Sequence, residues 1–298
     1  MMGLLVQGVL LGGYYAILAA GLAFLYSVMG IINLAHGALA VVAAYMLLIF
    51  SQMTGMSPFV GLLIVLPAMA VIGAIVERGI FEPSSRGGPL LAVLATFGMS
   101  VVIDNLLFQQ FGANTQSLAN FIGDLSWDSW NLGGGLYVGK ISVYTFLTAV
   151  VVLGGLQLLL TFTPIGRAIR ATAQDSDTAG LVGLDARRIR MISSAIAFIT
   201  IGIAGAALGM RSSFSPYAGG ALLLFAFQAT VIGGTATVWG TLIGGIILGL
   251  AQTLGAQIAP QGFLIGGNLV FFAVLFIRLL RGDMNWRSVL RLNRKATQ

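Results

Sequence analysis

The chain has 298 residues, 58% of them hydrophobic and 8% charged, with a mean hydropathy of +0.97. Soluble domains carry about a quarter charged residues, so this composition excludes an ordinary soluble enzyme or binding module. The net charge of +6 is not a nucleic-acid footprint, because residues 278–298 hold six basic residues against one acidic and supply five of those charges.

From Met1 to Val76 there is no Asp, Glu, Lys or Arg. A span needs about 20 apolar residues, so this run alone is long enough for three. The N-terminus lacks the basic patch of a secretory signal, and no cleaved segment is expected. Spans are predicted at 4–28, 31–50, 58–77, 90–111, 141–163, 191–211, within the stretch 219–257, and at 263–280.

Two linkers stand out. Residues 112–139 carry Asp124, Asp128, Trp127, Trp130 and three consecutive glycines, with no Lys or Arg, whereas 164–190 carry Arg167, Arg170, Arg187, Arg188 and Arg190 against Asp175, Asp177 and Asp185. The positive-inside rule puts 164–190 and the tail 281–298 in the cytoplasm and 112–139 outside. An even number of crossings must then separate the two inside segments, yet only three apolar stretches lie between them. The 39-residue stretch 219–257 has Gly233-Gly234-Thr235-Ala236-Thr237-Val238-Trp239-Gly240 at its middle. It is expected to make two passes, or one pass and a re-entrant half-helix. The fold expected is all-α: one polytopic membrane domain over 1–298, with about nine spans, in a range of about eight to ten, and broken or re-entrant helices. Glycines four apart (Gly205 and Gly209, Gly240 and Gly244, Gly245 and Gly249) suit close helix contact.

Catalytic chemistry has little to stand on. There is one His and no Cys, which argues against disulfides and metal clusters; neither a catalytic nor a metal residue is expected. Gly134 to Lys140 reads G-x-x-x-x-G-K, but Ile141 stands where a phosphate loop needs Ser or Thr. No ATP-hydrolysing machinery of its own is expected.

Polar groups at membrane depth usually face a protein interior or an aqueous path. Candidates for a translocation path are therefore Asn33, His36 and Gly37; Thr96, Gly98, Asp104 and Asn105; and Gln228, Gly233 and Gly234. Each has a plainer reading: Asn33 and His36 as satisfiers of a helix end, Asp104 as partner to a backbone or an Arg, and Gln228 as an interhelical bond. Arg211, closing the sixth span, is expected to snorkel to the interface.

In 164–190, Arg167, Arg170 and Gln174 recur at spacings of three and four and share one helical face. Ala-rich composition favours helix, and Gly183 can end it. Such a helix can seat in a groove of a soluble partner or lie on the membrane surface. The loop resembles the coupling loop of ATP-binding-cassette importer permeases through Arg170-Ala171-Thr172-Ala173-Gln174-Asp175, then Ala179 and Gly183-Leu184. Gln174-Asp175 departs from the Glu-Asp or Glu-Ala common in that loop.

The whole chain resembles the branched-chain amino acid type of permease, related to ribose-type permeases. The likeness lies in Gly30-Ile31-Ile32-Asn33-Leu34-Ala35-His36-Gly37, in Leu94-Ala95-Thr96-Phe97-Gly98-Met99-Ser100, and in Val231-Ile232-Gly233-Gly234 through Gly244-Gly245. Thr-Ala-Thr-Val-Trp at 235–239 departs from the family pattern. The resemblance implies a second permease subunit, more often a homologous heterodimer partner, with two cytoplasmic ATPases that use ATP and Mg, and a periplasmic or extracellular solute-binding protein. No cofactor is then bound by this chain, and membrane lipid, not nucleic acid, surrounds it. The location implied is a bacterial or archaeal cytoplasmic membrane. The implied cargo is a branched-chain or other neutral amino acid, with urea, amides or another small solute as the alternative. An ion-coupled transporter using Asp104, or a channel, would need no ATPase.

Overall fold

The computed structural model describes residues 1–131, 133, 137–234 and 237–280, with the backbone alone at Asp177. The basic tail 281–298 and residues 235–236 of the predicted break lie outside the described residues.

Helix α1 (Met2–Met29) is the axis of the bundle, buried along nearly its whole length. A helix apolar on every side has no face to give to water and belongs inside. It ends at Gly30, whose φ of +66° is the left-handed cap that glycine adopts without strain. After a short irregular segment come α2 (His36–Thr54) and α3 (Pro58–Val76). Helix α3 continues through a π-helical turn (Glu77–Phe81) into α4 (Glu82–Ser85), and α5 (Pro89–Phe111) follows. Residues 112–139 hold two 3-10 turns and a small hairpin, β1 (Ser129–Asn131) antiparallel to β2 (Tyr137–Gly139) with Trp130 opposite Val138. The rest is helical: α6 (Lys140–Phe162), α7 (Pro164–Gln174), α8 (Ser176–Leu181), α9 (Ala186–Arg211), α10 (Gly219–Gly233), α11 (Gly240–Ile258) and α12 (Gly262–Leu280).

Among the described residues, nine helical stretches are long and apolar enough to cross a membrane, as the sequence led us to expect. The stretch 219–257 makes two of them, since α10 stops at Gly233 and α11 starts at Gly240. The second span begins at His36 rather than 31, because 30–35 is irregular, and the third runs on to Ser85.

Helices α1 and α11 form the tightest seam, running antiparallel. A Cβ on Gly245 would strike the Gly12 carbonyl and one on Gly249 the Gly8 carbonyl. The other glycine pairs named above also sit in close contacts: Gly205 against Ala40, Gly209 against Leu118, Gly240 against Gly233, and Gly244 against Ala229. Small residues bring helix backbones together, where van der Waals packing replaces the hydrophobic drive that lipid removes. By contrast α5 and α12 are barely buried and present rows of Leu, Val and Phe outward, suited to lipid or a second subunit.

Candidate functional site

The irregular segment 30–35 does not stay at the end of α1; it turns back beside it. His36 Nε2 donates to the Leu18 carbonyl at 2.7 Å. Leu18 lies eleven residues before Met29, so α2 starts about 16 Å along the axis from the end of α1. Non-helical backbone at such depth needs internal partners, and it has them. Asn33 Oδ1 accepts from Ala35 N at 3.0 Å, the Asn33 carbonyl accepts from His36 N at 3.2 Å, and Thr96 Oγ1 on α5 accepts from Leu34 N at 3.1 Å. Asn33, His36 and Thr96 are each fully buried. The carbonyl partner fixes the Nε2–H tautomer of His36. Its Nδ1, like Asn33 Nδ2, then has no hydrogen-bond partner among the described residues.

A second interruption meets the first. Residues 212–218 join α9 to α10, and the first turn of α10 packs on the first turn of α2. A Cβ on Gly37 would strike the Gly219 carbonyl, and one on Gly219 would meet Ala38 N at 2.7 Å. Helix α10 alone has 15 residues, or about 22 Å, and reaches spanning length only together with the 3-10 turn Pro216–Ala218 ahead of it. Two helices thus begin at the same depth, each fed by a returning non-helical segment. Discontinuous helices abutting in this way form transport sites in many membrane carriers.

Beneath this crossing lies an apolar cavity of about 360 Å3, bounded by Leu22, Ile32, Phe227, Thr230, Gly234 and Arg278 among others. Arg278 reaches across its mouth to donate to the Ile232 carbonyl at 3.3 Å, close to the left-handed Gly234 (φ +79°). Gln228 is buried and donates through Nε2 to Asn268 Oδ1 at 2.7 Å, which ties α10 to α12.

The structure therefore brings Asn33, His36, Gly37 and Thr96 together and places Gly234 in the wall of the cavity below, while Gly233 packs on Gly240. It does not bring in Gly98, Asp104 or Asn105. Gly98 is exposed with nothing near its Cβ position, and exposed Asn105 bonds only within its own helix, to the Val101 carbonyl at 2.7 Å. Asp104 has no ion pair among the described residues, so neither an Arg partner nor a shared polar site surrounds it.

Helices α7 and α8 cap the end of the bundle where α1 stops. Thr163 caps α7 through its hydroxyl oxygen, which accepts from Gly166 N at 2.9 Å. Arg167, Arg170 and Gln174 all point outward, while Gly166, Ile169 and Thr172 on the opposite side are buried. The predicted single helix is two, because Asp175 takes an extended conformation (φ −156°) and its carboxylate accepts from Thr178 N at 3.1 Å, starting α8. Ala179 is buried beneath this corner and Leu184 is partly buried, whereas Leu181 and Val182 are 88% and 75% exposed just before left-handed Gly183. Sequence reasoning passed over these two residues; an apolar pair in an otherwise charged loop was the available signal. A polar groove of about 790 Å3 joins this cap to the end of α1, between Tyr26–Gly30 and Thr172–Ser176.

A collar of charge holds the cap's exit helix α9 to the π-helical turn. Glu82 Oε2 accepts from Arg187 Nε at 2.8 Å and Oε1 from Arg86 Nη2 at 2.9 Å. Glu77 Oε2 accepts from Ser194 Oγ at 2.8 Å, with Arg190 Nε 3.8 Å from its other oxygen. Both carboxylates are buried, at 3% and 6% exposure, and so are held only by these partners. Single π turns recur at functional sites. None of the four residues Glu77, Glu82, Arg187 and Arg190 was singled out as a site in the sequence.

Residues 4–279 match the family model described as "Branched-chain amino acid transport system / permease component". The chain belongs to this family. It is 29% identical over 290 residues to the high-affinity branched-chain amino acid transport system permease protein LivH of Escherichia coli, covering 92% of this chain and 91% of the relative. To the corresponding protein BraD of Pseudomonas aeruginosa it is 26% identical over 286 residues, covering 93% and 92%. It is also 30% identical over 165 residues to the L-arabinose ABC transporter permease protein AraH of Azospirillum brasilense, covering 52% and 48%. The chain is thus a permease, a transport subunit rather than an enzyme, and a multi-pass membrane protein. The permease's three sequence blocks fall on the re-entrant segment, the α5 turn around Thr96 that buttresses it, and the α10–α11 break.

Proposed function

We propose that this permease moves branched-chain or other neutral amino acids inward by alternating access, driven by ATP hydrolysed in partner subunits. The observation that carries the mechanism is the α7–α8 cap, which offers an exposed arginine face and an apolar tip to a partner while sharing a groove with the end of the central helix. In this reading a cytoplasmic ATPase seats Leu181, Val182, Arg167, Arg170 and Gln174. Asp175, Gly183 and Leu184 set the corner, with Ala179 packed beneath it. ATP and Mg bind the two ATPases, and this chain holds no cofactor.

The α7 face is then cytoplasmic and the hairpin face external, with the described chain entering α1 from outside and leaving α12 inside. An external solute-binding protein delivers the cargo to the hairpin face. The exposed rows on α5 and α12 leave room for lipid and for a second, homologous permease subunit. The whole chain acts as one transmembrane domain, with 281–298 as a basic cytoplasmic tail. Movement of α7 reaches α3 through the Glu77 and Glu82 collar, and shifts the abutting starts of α2 and α10 against each other. Asn33, His36, Gly37, Thr96, Gln228, Gly233 and Gly234 line or shape the path, which carries no acidic group at the crossing. Asp104, Asn105 and Gly98 stand apart from it, against the ion-coupled alternative.

Reconstitution of the permease with its partners in proteoliposomes tests this. L-leucine uptake should require the binding protein outside and ATP on the ATPase side. Uptake that proceeds without ATP would point instead to a channel or ion-driven carrier.

A further inference from the structure

Arg211 closes α9 on the hairpin side, where a snorkelling side chain was expected. It turns inward instead. Its guanidinium carbon lies 5.4 Å from the centre of the Tyr14 ring on α1, and Nη1 is buried without a hydrogen-bond partner. The Tyr14 hydroxyl is also buried and unpartnered among the described residues. Five basic side chains have acids: Lys140 on the same side pairs with Asp128 at 2.7 Å, while Arg86, Arg187, Arg188 and Arg190 pair with Glu82, Glu82, Asp185 and Glu77; Arg78, Arg167, Arg170 and Arg278 have none among the described residues. Arg211 has none among the described residues. A cation turned toward the bundle, with one nitrogen buried and no acid beside it, points to a functional position, because part of its hydration has been given up and no fixed charge replaces it.

Arg211 also forms part of the wall of a cavity of about 260 Å3 opening on this face, with Gln7, Leu10 and Leu11 of α1, Ser142 of α6 and Thr253 of α11. We infer that this cavity is an external recognition site in which Arg211 binds the carboxylate of the transported amino acid; the cargo assignment rests on the proposed function. Among the described residues the wall, which also takes in Tyr137 to Gly139 of β2, carries one cation and no acid, which selects an oxyanion, and a guanidinium meets a carboxylate through two parallel N–H donors. Leu10 and Leu11 offer an apolar wall to an aliphatic side chain. The Gln7 amide oxygen can accept from an ammonium. Thr253 donates its own proton to Gly249 and Leu250 carbonyls, at 2.9 and 3.1 Å, and keeps its lone pairs for a ligand. One turn deeper on the same seam Tyr15 donates to Gln252, so a ligand that draws Arg211 off Tyr14 acts directly on the α1–α11 contact.

The importer complex, purified without its binding protein in nanodiscs, would be probed by saturation-transfer NMR with L-leucine, isovalerate and L-leucinamide. Leucine and isovalerate should give signals that fall by about fivefold or more in Arg211→Gln and are partly kept in Arg211→Lys, since the lysine preserves charge but not the planar fork. Leucinamide, lacking the carboxylate, should be weak throughout. Co-purification of the ATPase reports folding; if Arg211→Gln fails to assemble, Arg211→Lys and the wild-type contrast of isovalerate with leucinamide still decide. Undiminished binding in assembled Arg211→Gln, or leucinamide matching leucine in the wild type, would overturn the site. So would a carboxylate signal that appears only when anionic lipid is replaced by zwitterionic phosphatidylcholine, which would assign Arg211 to the headgroup of an anionic lipid. Loss of ATP-driven leucine uptake in the wild type, with isovalerate binding intact, would sink the cargo and leave the oxyanion site standing.

Discussion

The crossing of α2 with α10 and the collar around Glu77 and Glu82 solve the same problem in opposite ways. At the crossing two helix starts are held by shape: Gly37 and Gly219 meet backbone to backbone, and among the described residues no ion pair spans them. At the collar two buried carboxylates hold α3–α4 to α9 through Arg187, Arg190 and Ser194. Contacts made by shape are short-ranged and tolerate little added volume. Contacts made by charge permit relative sliding while the pair persists, and can be rebuilt with the signs exchanged. In the proposed mechanism the cargo passes near the crossing and the drive arrives at the collar, so each kind of contact serves its own task.

The largest effect is expected where shape rules. Gly37→Val puts a branched side chain into the Gly219 carbonyl, and overpacking of this kind costs about 1–3 kcal/mol or more. The yield of folded permease should fall about tenfold, read as the monodisperse peak in size-exclusion chromatography, with Gly37→Ala between it and wild type. At the collar the expected change is functional. Glu82→Gln should leave assembly and ATP hydrolysis in place while leucine uptake per ATP falls about fivefold, and, with Arg86→Ala as background to remove the second arginine on Glu82, Glu82→Arg combined with Arg187→Glu should recover much of it. A double variant no better than the worse single one would show that the ion pair transmits nothing. The smallest effect belongs to Asp104, half-buried and away from both regions: Asp104→Asn keeps the side chain's shape and breaks no ion pair among the described residues, so uptake should stay within about twofold of wild type. A tenfold loss would reopen ion coupling.

Much of this architecture was legible in the sequence. The parity of charged loops required an even number of crossings after 190, and the glycine run at 233–240 said where the extra turn lies; α10 and α11 part there. Asn33 and His36 announced a break, but not that the chain climbs back beside α1 to Leu18, because that depends on which helix accepts the imidazole. Asp104 and Gly98 looked like path residues since hydropathy reports depth and not which side of α5 faces the bundle. Arg211 was misjudged for the related reason that a long side chain at a helix end can turn either way, and the Tyr14 ring that receives it is some 200 residues distant in sequence. Glu77 was the last residue of the predicted third span and Glu82 lay beyond it. Only the π-helical continuation of α3 carries them into contact with α9.

The proposed mechanism stands on the α7–α8 tip facing the cytoplasm and seating an ATPase. The chain has no cysteine, so Leu181→Cys supplies a single thiol at a site that is 88% exposed. A membrane-impermeant maleimide should fail to label it in intact cells. It should label it in inside-out vesicles stripped of the ATPase, and labelling should be blocked when the ATPase is restored. Labelling from outside intact cells, or labelling in vesicles indifferent to the restored ATPase, would contradict the claim.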